Sequence, residues 1–565
     1  MVDLESLGEV ITTDVLVVGG GIGGLITAIK AKENPVKVLI VEKQTTGWSG
    51  KAPKTGGFLW VMMPQDDIDK FVEYHVKHMG IYLEDQELLR AYAQETRGAI
   101  DEITEWGVQV ARDKEGKLDT FYYLSDKWSA VGISLNMNIQ LRKKARKMGV
   151  KIMNKIQVVD LLKQDDRVVG AVGFNIIDKK FYIFNAKSTI LANGGCNYVV
   201  TKMWSAGRGD GIAAAYRAGA EMRNAEYANW TEIRYKANLN EAIHSMYAIR
   251  NKNGELLAEK YNFPEGEPDE SISALLAMEK EVMEGRGPIY IDQSLMHYDK
   301  ILLEHNMKNK NWRKLEWVKG SLVYNFAKDL NHGKVGDKPE GTPSFVGELT
   351  PIKVDHNMRT TLTGLWAVGD TSWAGSGWIG ARPPPGGLRG SGLMNAILSS
   401  LRGGSSAGIY ASKAELLDPD LAQVERFKKQ MFAPLDLTNG VKPKEILYEI
   451  QDVVTPFKYQ IRRSKDRLEE ALSKIEYIKR KLPNLSAKDG HGLLNVNEIK
   501  SMTLCAEMTF RAALMRTETR GWHVREDYPE RDDKNWLKWV IVKQKDGKMI
   551  TSTEPIPIDK YEIKP

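Results

Sequence analysis

The sequence predicts an α/β fold, in which a Rossmann-like first domain is interrupted by an inserted domain and followed by a helical C-terminal region. Near the N-terminus a short apolar strand leads into a glycine-rich turn and a helix, which is how a βαβ unit begins. The α/β pattern breaks off at about residue 235, where the sequence becomes polar and less periodic, and returns at about 346. From 441 to about 481 apolar residues recur at helical spacing.

Changes in this pattern define the expected domain boundaries. A chain of 565 residues is too long for a single core, so several domains are expected. The two parts of the α/β domain together complete one sheet, and the inserted domain covers it as a cap. The predicted segments are 1–234 and 346–415 for the α/β domain, 235–345 for the capping domain, 416–520 for the helical domain and 521–565 for the C-terminal segment.

Composition excludes several classes of protein. The formal net charge is +6 and there is no long basic tract, so binding to nucleic acid is not expected. The two cysteines, Cys196 and Cys505, are too few for a disulfide framework or an iron–sulfur cluster, and no pattern of metal ligands is visible.

The sequence also carries expectations about cellular location and assembly. The N-terminus is acidic and lacks the basic start and apolar run of a signal peptide, and no apolar run reaches membrane-spanning length. We therefore expect a cytoplasmic protein without membrane insertion. The oligomeric state stays open, with a homo-oligomer among the alternatives.

The glycine-rich turn has the arrangement of a dinucleotide site. Residues 14–24 read DVLVVGGGIGG, and Glu42 ends the next apolar run, VKVLIVE. Gly19 permits the tight turn, Gly21 lets the backbone approach a pyrophosphate at the helix N-terminus, and Gly24 lets the helix pack closely on the strand. Glu42 is placed to accept hydrogen bonds from a ribose. The full order of strand, turn, helix, strand and acid predicts a dinucleotide cofactor.

Further segments identify the type of cofactor by resemblance. Together with ANGG at 192–195 and GLWAVGD at 364–370, the turn resembles the flavin-binding core of the succinate dehydrogenase/fumarate reductase flavoprotein family. The run RTETRGWHVREDYPERDDKNW at 516–536 resembles the C-terminal region of the same family. MRNAEYANW at 222–230 and GRGPIYID at 285–292 are similar to the adenylylsulfate reductase alpha subunit. The resemblance implies an FAD-binding Rossmann-like domain, a mobile cap and a helical domain.

The resemblance also implies a set of FAD contacts. A helix that opens at Ser391 would point its N-terminus at the pyrimidine end of the flavin and stabilise negative charge there. Gly50 stands where covalent members of the family carry a histidine, so FAD is expected to be noncovalent. The implied contacts are Gly19, Gly21, Ile22, Gly23, Gly24, Glu42, Lys43, Ser49, Gly57, Val158, Ala192, Asn193, Gly194, Gly195, Asp210, Gly369, Asp370, Ser391, Gly392, Leu393 and Asn395.

The sequence departs from the family at the substrate site. Residues 229–233 and 347–355 replace two segments that carry histidines in succinate and fumarate enzymes, which argues against both substrates. Arg382 and Arg389 flank a rigid run of three prolines and suit an anionic substrate. Arg389 matches the family's substrate-carboxylate arginine. The candidates for a proton donor, which share roughly helical spacing in the cap, are His244, Tyr247 and Arg250.

These features predict an oxidoreductase that transfers two electrons, as hydride at flavin N5, to or from a small anionic molecule. The favoured reaction is reduction of an activated C=C bond in a carboxylate, or its reverse. One alternative is a flavoprotein subunit like that of adenylylsulfate reductase, working with a ferredoxin-like iron–sulfur subunit. A second alternative is an electron carrier without a substrate of its own. A nicotinamide dehydrogenase explains the motifs least well.

Overall fold

The computed structural model extends over most of the chain. It describes residues 3–55, 57–122, 128–200, 207–236, 238–243, 246–263, 272–292, 295, 339–375, 380–383 and 390–565.

Strands and helices alternate through the first part of the chain, and helices dominate after residue 390. The strands are β1 (Glu9–Val18), β2 (Val38–Glu42), β3 (Phe58–Val61), β4 (Thr120–Tyr122), β5 (Ser129–Gly132), β6 (Lys151–Asn154), β7 (Ile156–Gln164), β8 (Arg167–Asn175), β9 (Phe181–Leu191), β10 (Met222–Arg223), β11 (Thr231–Tyr235), β12 (Asn238–Ile243), β13 (Ile249–Arg250), β14 (Tyr290–Ile291), β15 (Gly341–Phe345), β16 (Leu365–Ala367), β17 (Arg462–Arg463), β18 (Val524–Arg525), β19 (Lys538–Lys545) and β20 (Lys548–Pro555). The helices are α1 (Leu4–Leu7), α2 (Ile22–Ala31), α3 (Ile68–Tyr74), α4 (Gln86–Glu105), α5 (Met137–Lys147), α6 (Asp210–Ala218), α7 (Leu257–Lys260), α8 (Ile272–Met283), α9 (Ser391–Lys413), α10 (Leu421–Phe432), α11 (Pro443–Val454), α12 (Phe457–Gln460), α13 (Lys465–Lys481), α14 (Gly490–Met515) and α15 (Asp533–Trp536).

A central sheet with strand order β6-β2-β1-β9-β8-β7 forms the core of the first domain. Its apolar strands β1, β2 and β9 are parallel, and β16 from the second part of the domain adds a parallel strand beside the end of β9. β7 and β8 continue the sheet as an antiparallel meander. Because β1, β2, β9 and β16 point the same way, their carboxyl ends meet at one edge, where ligands of such sheets bind.

The helix α9 packs closely against α2 because small residues face the contact. A Cβ added at Gly404 would lie 2.6 Å from the carbonyl oxygen of Thr27, and one added at Gly408 would lie 2.8 Å from that of Ala31. The second part of the domain is therefore fixed onto the first through this helix pair as well as through β16. Sequence periodicity predicts both helices, but the close approach between them is a tertiary feature.

The described part of the predicted cap contains a small antiparallel sheet, β12-β11-β15, and the pair β13-β14. Its apolar side chains form a cluster that also takes in Leu83, Ala381 and Trp522 from other parts of the chain. The cap residues of this cluster include Tyr235, Met246, Ile249, Leu275, Met278 and Ile291, and Ile233 of β11 joins them from just before the predicted cap. The cap thus shares a core with the loop that precedes α9 and with the C-terminal segment.

The helical region differs in detail from its prediction. The pattern from 441 to about 481 is not one helix, because the chain leaves α11 at Thr455, turns at Pro456 and passes through α12 and β17 before α13. Leu468 and Ile475 of the predicted apolar stripe are buried and belong to the main core, so the stripe is a packing surface. The strand-like run near the C-terminus is β19, which pairs with both β20 and β10.

Candidate active site

The glycine-rich turn lies at the carboxyl edge of the central sheet. The backbone N–H of Gly19 donates to the carbonyl of Val41 at 2.8 Å, which joins the turn to the end of β2. Gly19 has a φ of +113°, and a Cβ on it would lie 2.4 Å from the carbonyl oxygen of Ala192. A Cβ on Gly24 would lie only 1.9 Å from the carbonyl oxygen of Gly19. Larger residues at either position would force the strand and α2 apart.

Glu42 is buried at the end of β2 and points back at the turn. Its carboxylate accepts hydrogen bonds from the backbone N–H of Gly20 at 2.6 Å and of Gln44 at 2.7 Å. The carboxylate therefore lies directly beside the glycine-rich turn, which is where the sequence places a ribose contact.

The ends of β1, β9 and β16 are joined by hydrogen bonds. Ala192 donates from its backbone N–H to Val18 at 2.8 Å, and Val368 donates to Leu191 at 3.0 Å. The N–H of Gly194 donates to the hydroxyl of Thr371 at 2.8 Å. The segments ANGG and GLWAVGD, which are far apart in sequence, thus lie side by side at this edge of the sheet. Together they form one wall of the candidate site.

This edge has the character of a site for an extended polar ligand. Several buried polar atoms here have no hydrogen-bond partner in the described residues: Ser49 Oγ, Asn193 Oδ1, Asp210 Oδ1 and Asn395 Nδ2. A Cβ added at Gly194 would meet nothing within 4 Å, and one at Gly21 would meet only the Cα of Gly50, at 3.9 Å. Open space beside glycines and unsatisfied buried polar atoms fit a dinucleotide such as FAD.

The remaining predicted FAD contacts lie around this wall or near it. Lys43 pairs with Asp210 at 2.6 Å and with Glu498 at 2.7 Å, and these carboxylates raise its pKa although burial opposes the charge. Gly57 lies just before β3, and Val158 is a buried residue of β7. The N–H of Gly369 donates to the hydroxyl of Ser399 at 3.0 Å. Ile22 and Gly23 open α2, and Gly195 follows Gly194 in the wall.

The N-terminus of α9 is held against β3. Gly390 is the N-cap, with a φ of +83° and no side chain to cap the first turn. Asn395 accepts a hydrogen bond from the indole N–H of Trp60 at 3.2 Å. No side chain of the described residues caps the first turn of α9, which contains Ser391, Gly392 and Leu393. The backbone N–H groups at the start of a helix can bind a negatively charged group.

Sequence reasoning missed a buried cluster of charges at the same edge. Lys51 forms ion pairs with Glu348 and, at 3.6 Å, with Asp370. Burial, aided by Asp370, raises the pKa of Glu348 to about 7 although Lys51 lowers it. Burial opposes the charge of Lys51, but the two carboxylates outweigh it and raise its pKa. No motif signals this cluster, because its members come from three distant segments.

Of the two arginines predicted to bind the substrate, the structure describes Arg382. Arg389 lies outside the described residues. Arg382 is 5% exposed, in a loop held on both sides. The N–H of Ala381 donates to the carbonyl of Gly80 at 3.0 Å, and the N–H of Trp522 donates to the carbonyl of Ala381 at 3.0 Å. The loop that carries Arg382 is therefore fixed between the turn before α4 and the C-terminal segment.

A second pair that the sequence did not indicate lies behind Arg382. His75 and Glu84 are both fully buried and share a short hydrogen bond. Burial, helped by the charge of Arg382, lowers the pKa of His75 to about 3. Burial raises the pKa of Glu84 well above its ordinary value. The pair is thus uncharged at neutral pH and adds no charge beside the guanidinium of Arg382.

The turn between these two residues is strained. Ile81 and Tyr82 have φ angles of +46° and +65°, in the left-handed region that residues with a Cβ rarely adopt. Arg520, from the C-terminal motif, donates to the carbonyl of Ile81 at 2.8 Å and helps to hold the turn. Strained turns of this kind cluster at functional sites.

The segment that replaces the family's histidine motif carries a buried arginine. On β11, Ile233 and Tyr235 face the apolar cluster of the cap, so Glu232 and Arg234 face the opposite side. Both are buried, and the guanidinium of Arg234 donates to the carboxylate of Glu232 at 2.5 and 2.9 Å. Their alternation along the strand was a signal that sequence reasoning could have used.

The helical arrangement predicted for the proton-donor candidates of the cap is wrong for the described residues, whereas their role as proton donors stays a prediction. The segment forms β12, a short 3₁₀ turn and β13 rather than a helix. Tyr247 is 40% exposed. Arg250 donates to Asp292 at 2.8 Å and to the carbonyl of Gly254 at 2.8 Å. His244 lies outside the described residues.

The structure also brings together one set of side chains that the sequence did not suggest as metal ligands. Asp85, Glu87 and His356 have ligand atoms within 4.8 Å of one another. Asp85 and His356 already share a hydrogen bond of 3.0 Å, and Asp85 caps α4 by accepting from the N–H of Leu88. Their positions are accounted for by these contacts.

Comparison with known proteins agrees with this geometry. Residues 14–234 match the FAD binding domain family, and residues 449–565 match the family described as fumarate reductase flavoprotein C-term. The chain is 26% identical over 568 residues to a fumarate reductase (CoM/CoB) subunit of Methanothermobacter marburgensis, covering 95% of this chain and 98% of the relative. It is also 26% identical over 583 residues to the 8-methylmenaquinol:fumarate reductase flavoprotein subunit of Wolinella succinogenes, covering 97% and 92%.

Solved structures show the same fold. Adenylylsulfate reductase from Archaeoglobus fulgidus superimposes with a TM-score of 0.76 at 21% identity, over 98% of this chain and 97% of that one. A quinol-fumarate reductase with menaquinol superimposes with a TM-score of 0.80 at 19% identity, over 98% and 99%.

The fold and the site define an FAD-dependent oxidoreductase. Its FAD-binding and C-terminal regions both match domain families of this kind, and relatives named fumarate reductase align with it over nearly the full length, so the chain is similar to the flavoproteins of the succinate dehydrogenase/fumarate reductase type. Among the helices described, none has the length and apolar character needed to cross a bilayer.

Proposed function

We propose that this flavoprotein reduces an activated C=C bond in a small carboxylate other than fumarate, or catalyses the reverse reaction. The observation that carries the proposal is the buried Arg234 on β11, which directly follows residues 229–233, the segment where family members that act on succinate or fumarate carry a histidine. Bound FAD supplies the two-electron chemistry, and the protein supplies binding and orientation.

Two buried arginines favour an anionic substrate. Arg234 lies on β11, directly before the predicted start of the cap, and Arg382 lies in the loop before α9. A guanidinium group holds a carboxylate through paired, charge-assisted hydrogen bonds, which are strong when water is excluded.

The same segment argues against fumarate. Both relatives named above are called fumarate reductases, yet residues 229–233 of this chain read NWTEI and contain no histidine. A C4 dicarboxylate carries two charged ends that need several cationic contacts. A substrate with one carboxylate requires fewer contacts, and Arg234 and Arg382 are the residues that we propose to provide them.

The proposal includes noncovalent FAD and an external electron partner. Gly50 offers no side chain for attachment to the cofactor. The two cysteines of the chain cannot hold an iron–sulfur cluster, so a separate iron–sulfur protein is the proposed partner.

A second candidate is reduction or oxidation of a sulfur compound. It is favoured by the local motifs at 222–230 and 285–292, which are similar to those of the adenylylsulfate reductase alpha subunit. A third candidate is an electron carrier that has no substrate of its own.

The test is anaerobic. The purified holoprotein is photoreduced and mixed with a panel of enoates, fumarate, aromatic acids and sulfur oxyanions, while the flavin absorbance is followed. We expect rapid reoxidation by an enoate that carries one carboxylate. Fumarate as the best acceptor would refute the proposed substrate class, and sulfur oxyanions alone would favour the second candidate. Reoxidation by no compound would favour the electron carrier.

Variants of Arg234 test in the same assay whether this residue contributes to substrate binding. Arg234→Met is expected to lower the rate of reoxidation at low acceptor concentration about 10- to 100-fold, since one charge-assisted contact contributes about 1.5–3 kcal/mol. Arg234→Lys keeps the charge but loses the paired geometry, and an intermediate rate is expected. Arg217→Met, which removes an arginine paired with Asp160 on the surface, is the control and should leave the rate within about twofold.

A further inference from the structure

The cluster of Lys51, Glu348 and Asp370 lies between the glycine-rich turn and the end of β16, two of the segments predicted to hold FAD. Gly50, directly before Lys51, faces the turn across a narrow gap, because a Cβ added to Gly50 would lie 3.4 Å from the Cα of Gly21. Asp370 immediately follows the strand end and the loop glycine of GLWAVGD. Lys51 therefore has the glycine-rich turn on one side and Asp370 on the other.

The ANGG turn borders the cluster of Lys51, Glu348 and Asp370 on a third side. Glu348 packs its carboxylate against Gly195, since a Cβ there would lie 2.0 Å from Glu348 Oε1. This Oε1 is buried and has no hydrogen-bond partner in the described residues. The cluster thus bridges three segments that all line the FAD site and leaves one of its polar atoms unsatisfied.

We propose that Lys51 sets the reduction potential of bound FAD, with its ammonium group stabilising the negative charge that the cofactor gains on reduction. The amino group is held by two carboxylates in a poorly solvated site, where a single charge acts more strongly than in water. Charges close to the flavin are among the means by which a protein tunes its electronics.

The balance of charge in the cluster supports this role. Lys51 stays protonated because both carboxylates favour its charged form. Burial raises the pKa of Glu348 and thereby favours its neutral form, whereas Asp370 is a second negative charge beside Lys51. The lysine is also the immediate neighbour of Gly50, the position that lacks a group for covalent attachment. An electrostatic contribution from Lys51 is therefore available in a protein whose FAD has no covalent link.

The experiment is an anaerobic redox titration of the holoprotein against a reference dye. Lys51→Met is expected to weaken binding of reduced FAD relative to oxidised FAD at least tenfold, which lowers the two-electron midpoint potential by about 30 mV. Lys51→Arg keeps the positive charge and should stay near the wild-type value. Glu348→Gln removes a negative charge from the cluster and should shift the potential upward.

The matched control is Lys353→Met. Lys353 is a lysine of similar exposure, 21% against 16% for Lys51, and it also pairs with two carboxylates, Glu221 and Glu554. It lies beside the sheet of the C-terminal segment, and its removal should leave the potential unchanged. An unchanged potential in Lys51→Met, with FAD retained, would overturn the proposal.

If Lys51→Met loses FAD during purification, its affinity for oxidised and reduced FAD is measured instead. The apoprotein is then titrated with oxidised FAD and with dithionite-reduced FAD. A larger loss of affinity for the reduced form supports the proposal, whereas an equal loss for both forms overturns it. Because no substrate is present, these results are independent of the proposed C=C reductase activity.

Discussion

Buried charged side chains are the most informative residues of this site. Lys51 and Glu348 in one cluster, and Glu232 and Arg234 in another, are charged groups that lie in positions where water is scarce. Removal of a charge from water costs free energy that a neighbouring opposite charge only partly returns. Such groups are therefore more informative about function than the many exposed ion pairs on the surface of this protein.

Glu348 should make the stability of the apoprotein depend on pH. Burial raises its pKa from the usual 4.5 to about 7, so the folded state binds the proton more tightly than the unfolded state between these values. Stability is therefore expected to fall as pH rises from about 4.5 to 7, by up to about 3 kcal/mol at about 1.4 kcal/mol per pKa unit. Lys51 and Asp370 are the charged groups that act on Glu348 here.

The measurement is urea unfolding of wild-type and Glu348→Gln apoprotein at pH 5 and pH 8. The variant should lose most of this difference between the two pH values. Glu33→Gln, at an exposed ion pair on the surface, is the control and should behave as wild type. An unaltered pH dependence in Glu348→Gln would assign the effect to other groups.

Among the secondary-structure elements, helix α9 affects the candidate site through the position of its N-terminus. The helix α9 starts at Gly390, whose left-handed backbone directs the first turn toward the edge of the sheet. The same glycine lies against β3, because an added Cβ would be 2.7 Å from the backbone nitrogen of Trp60. The position of the helix N-terminus is thus set by one residue without a side chain.

Gly390→Ala is expected to weaken FAD binding at least tenfold. The left-handed backbone costs a residue with a Cβ about 1–2 kcal/mol, and the clash with Trp60 adds to this by moving the start of α9. Affinity is measured by the quenching of FAD fluorescence on titration of the apoprotein. Gly107→Ala is the control, because Gly107 has a φ of +96° but a Cβ there meets nothing within 4 Å. Equal losses in the two variants would show that strain alone, and not the contact with β3, is responsible.

At the scale of the whole molecule, a buried ion network joins the flavin domain to the C-terminal segment. Arg516 donates to Glu226 at 2.8 Å and to Glu518 at 2.9 Å, and Arg520 also pairs with Glu518 at 2.8 Å. Glu226 follows β10, whereas the other three belong to the motif RTETR near the C-terminus. Through Arg520, the same network reaches the strained turn at Ile81.

Arg516→Met should destabilise the fold by about 3–5 kcal/mol, because it leaves the carboxylates of Glu226 and Glu518 buried with less compensation. The free energy of unfolding is obtained from urea denaturation monitored by circular dichroism. The control Arg531→Met breaks an exposed pair with Asp533 and is expected to cost less than about 1 kcal/mol. A loss no larger than in this control would mean that the network contributes little to stability.

Local chemistry explains what the sequence predicted. The turn at 19–24 and the strand ends at 42, 192 and 370 are recognisable because glycine, an acidic residue and apolar runs must occur there in a fixed local order. Reasoning from local spacing failed in the cap, where the spacing of Tyr247 and Arg250 suggested a helix. Tyr247 lies in a 3₁₀ turn instead, and Arg250 is in β13, which pairs with Tyr290 of β14. Pairing partners distant in sequence decide such a segment, and a short periodic pattern does not report them.

Residues that are neighbours along the chain were enough to predict the fold class, the resemblance to flavoproteins and the glycine-rich turn at 19–24. Which charged side chains meet follows instead from the packing of distant segments. Lys51 reaches Glu348 across 297 positions, and the loop that carries Arg382 is fixed by Gly80 and Trp522. Burial, which raises the pKa of Glu348, and the contact of Lys51 with its two carboxylates arise only when the separate segments pack together.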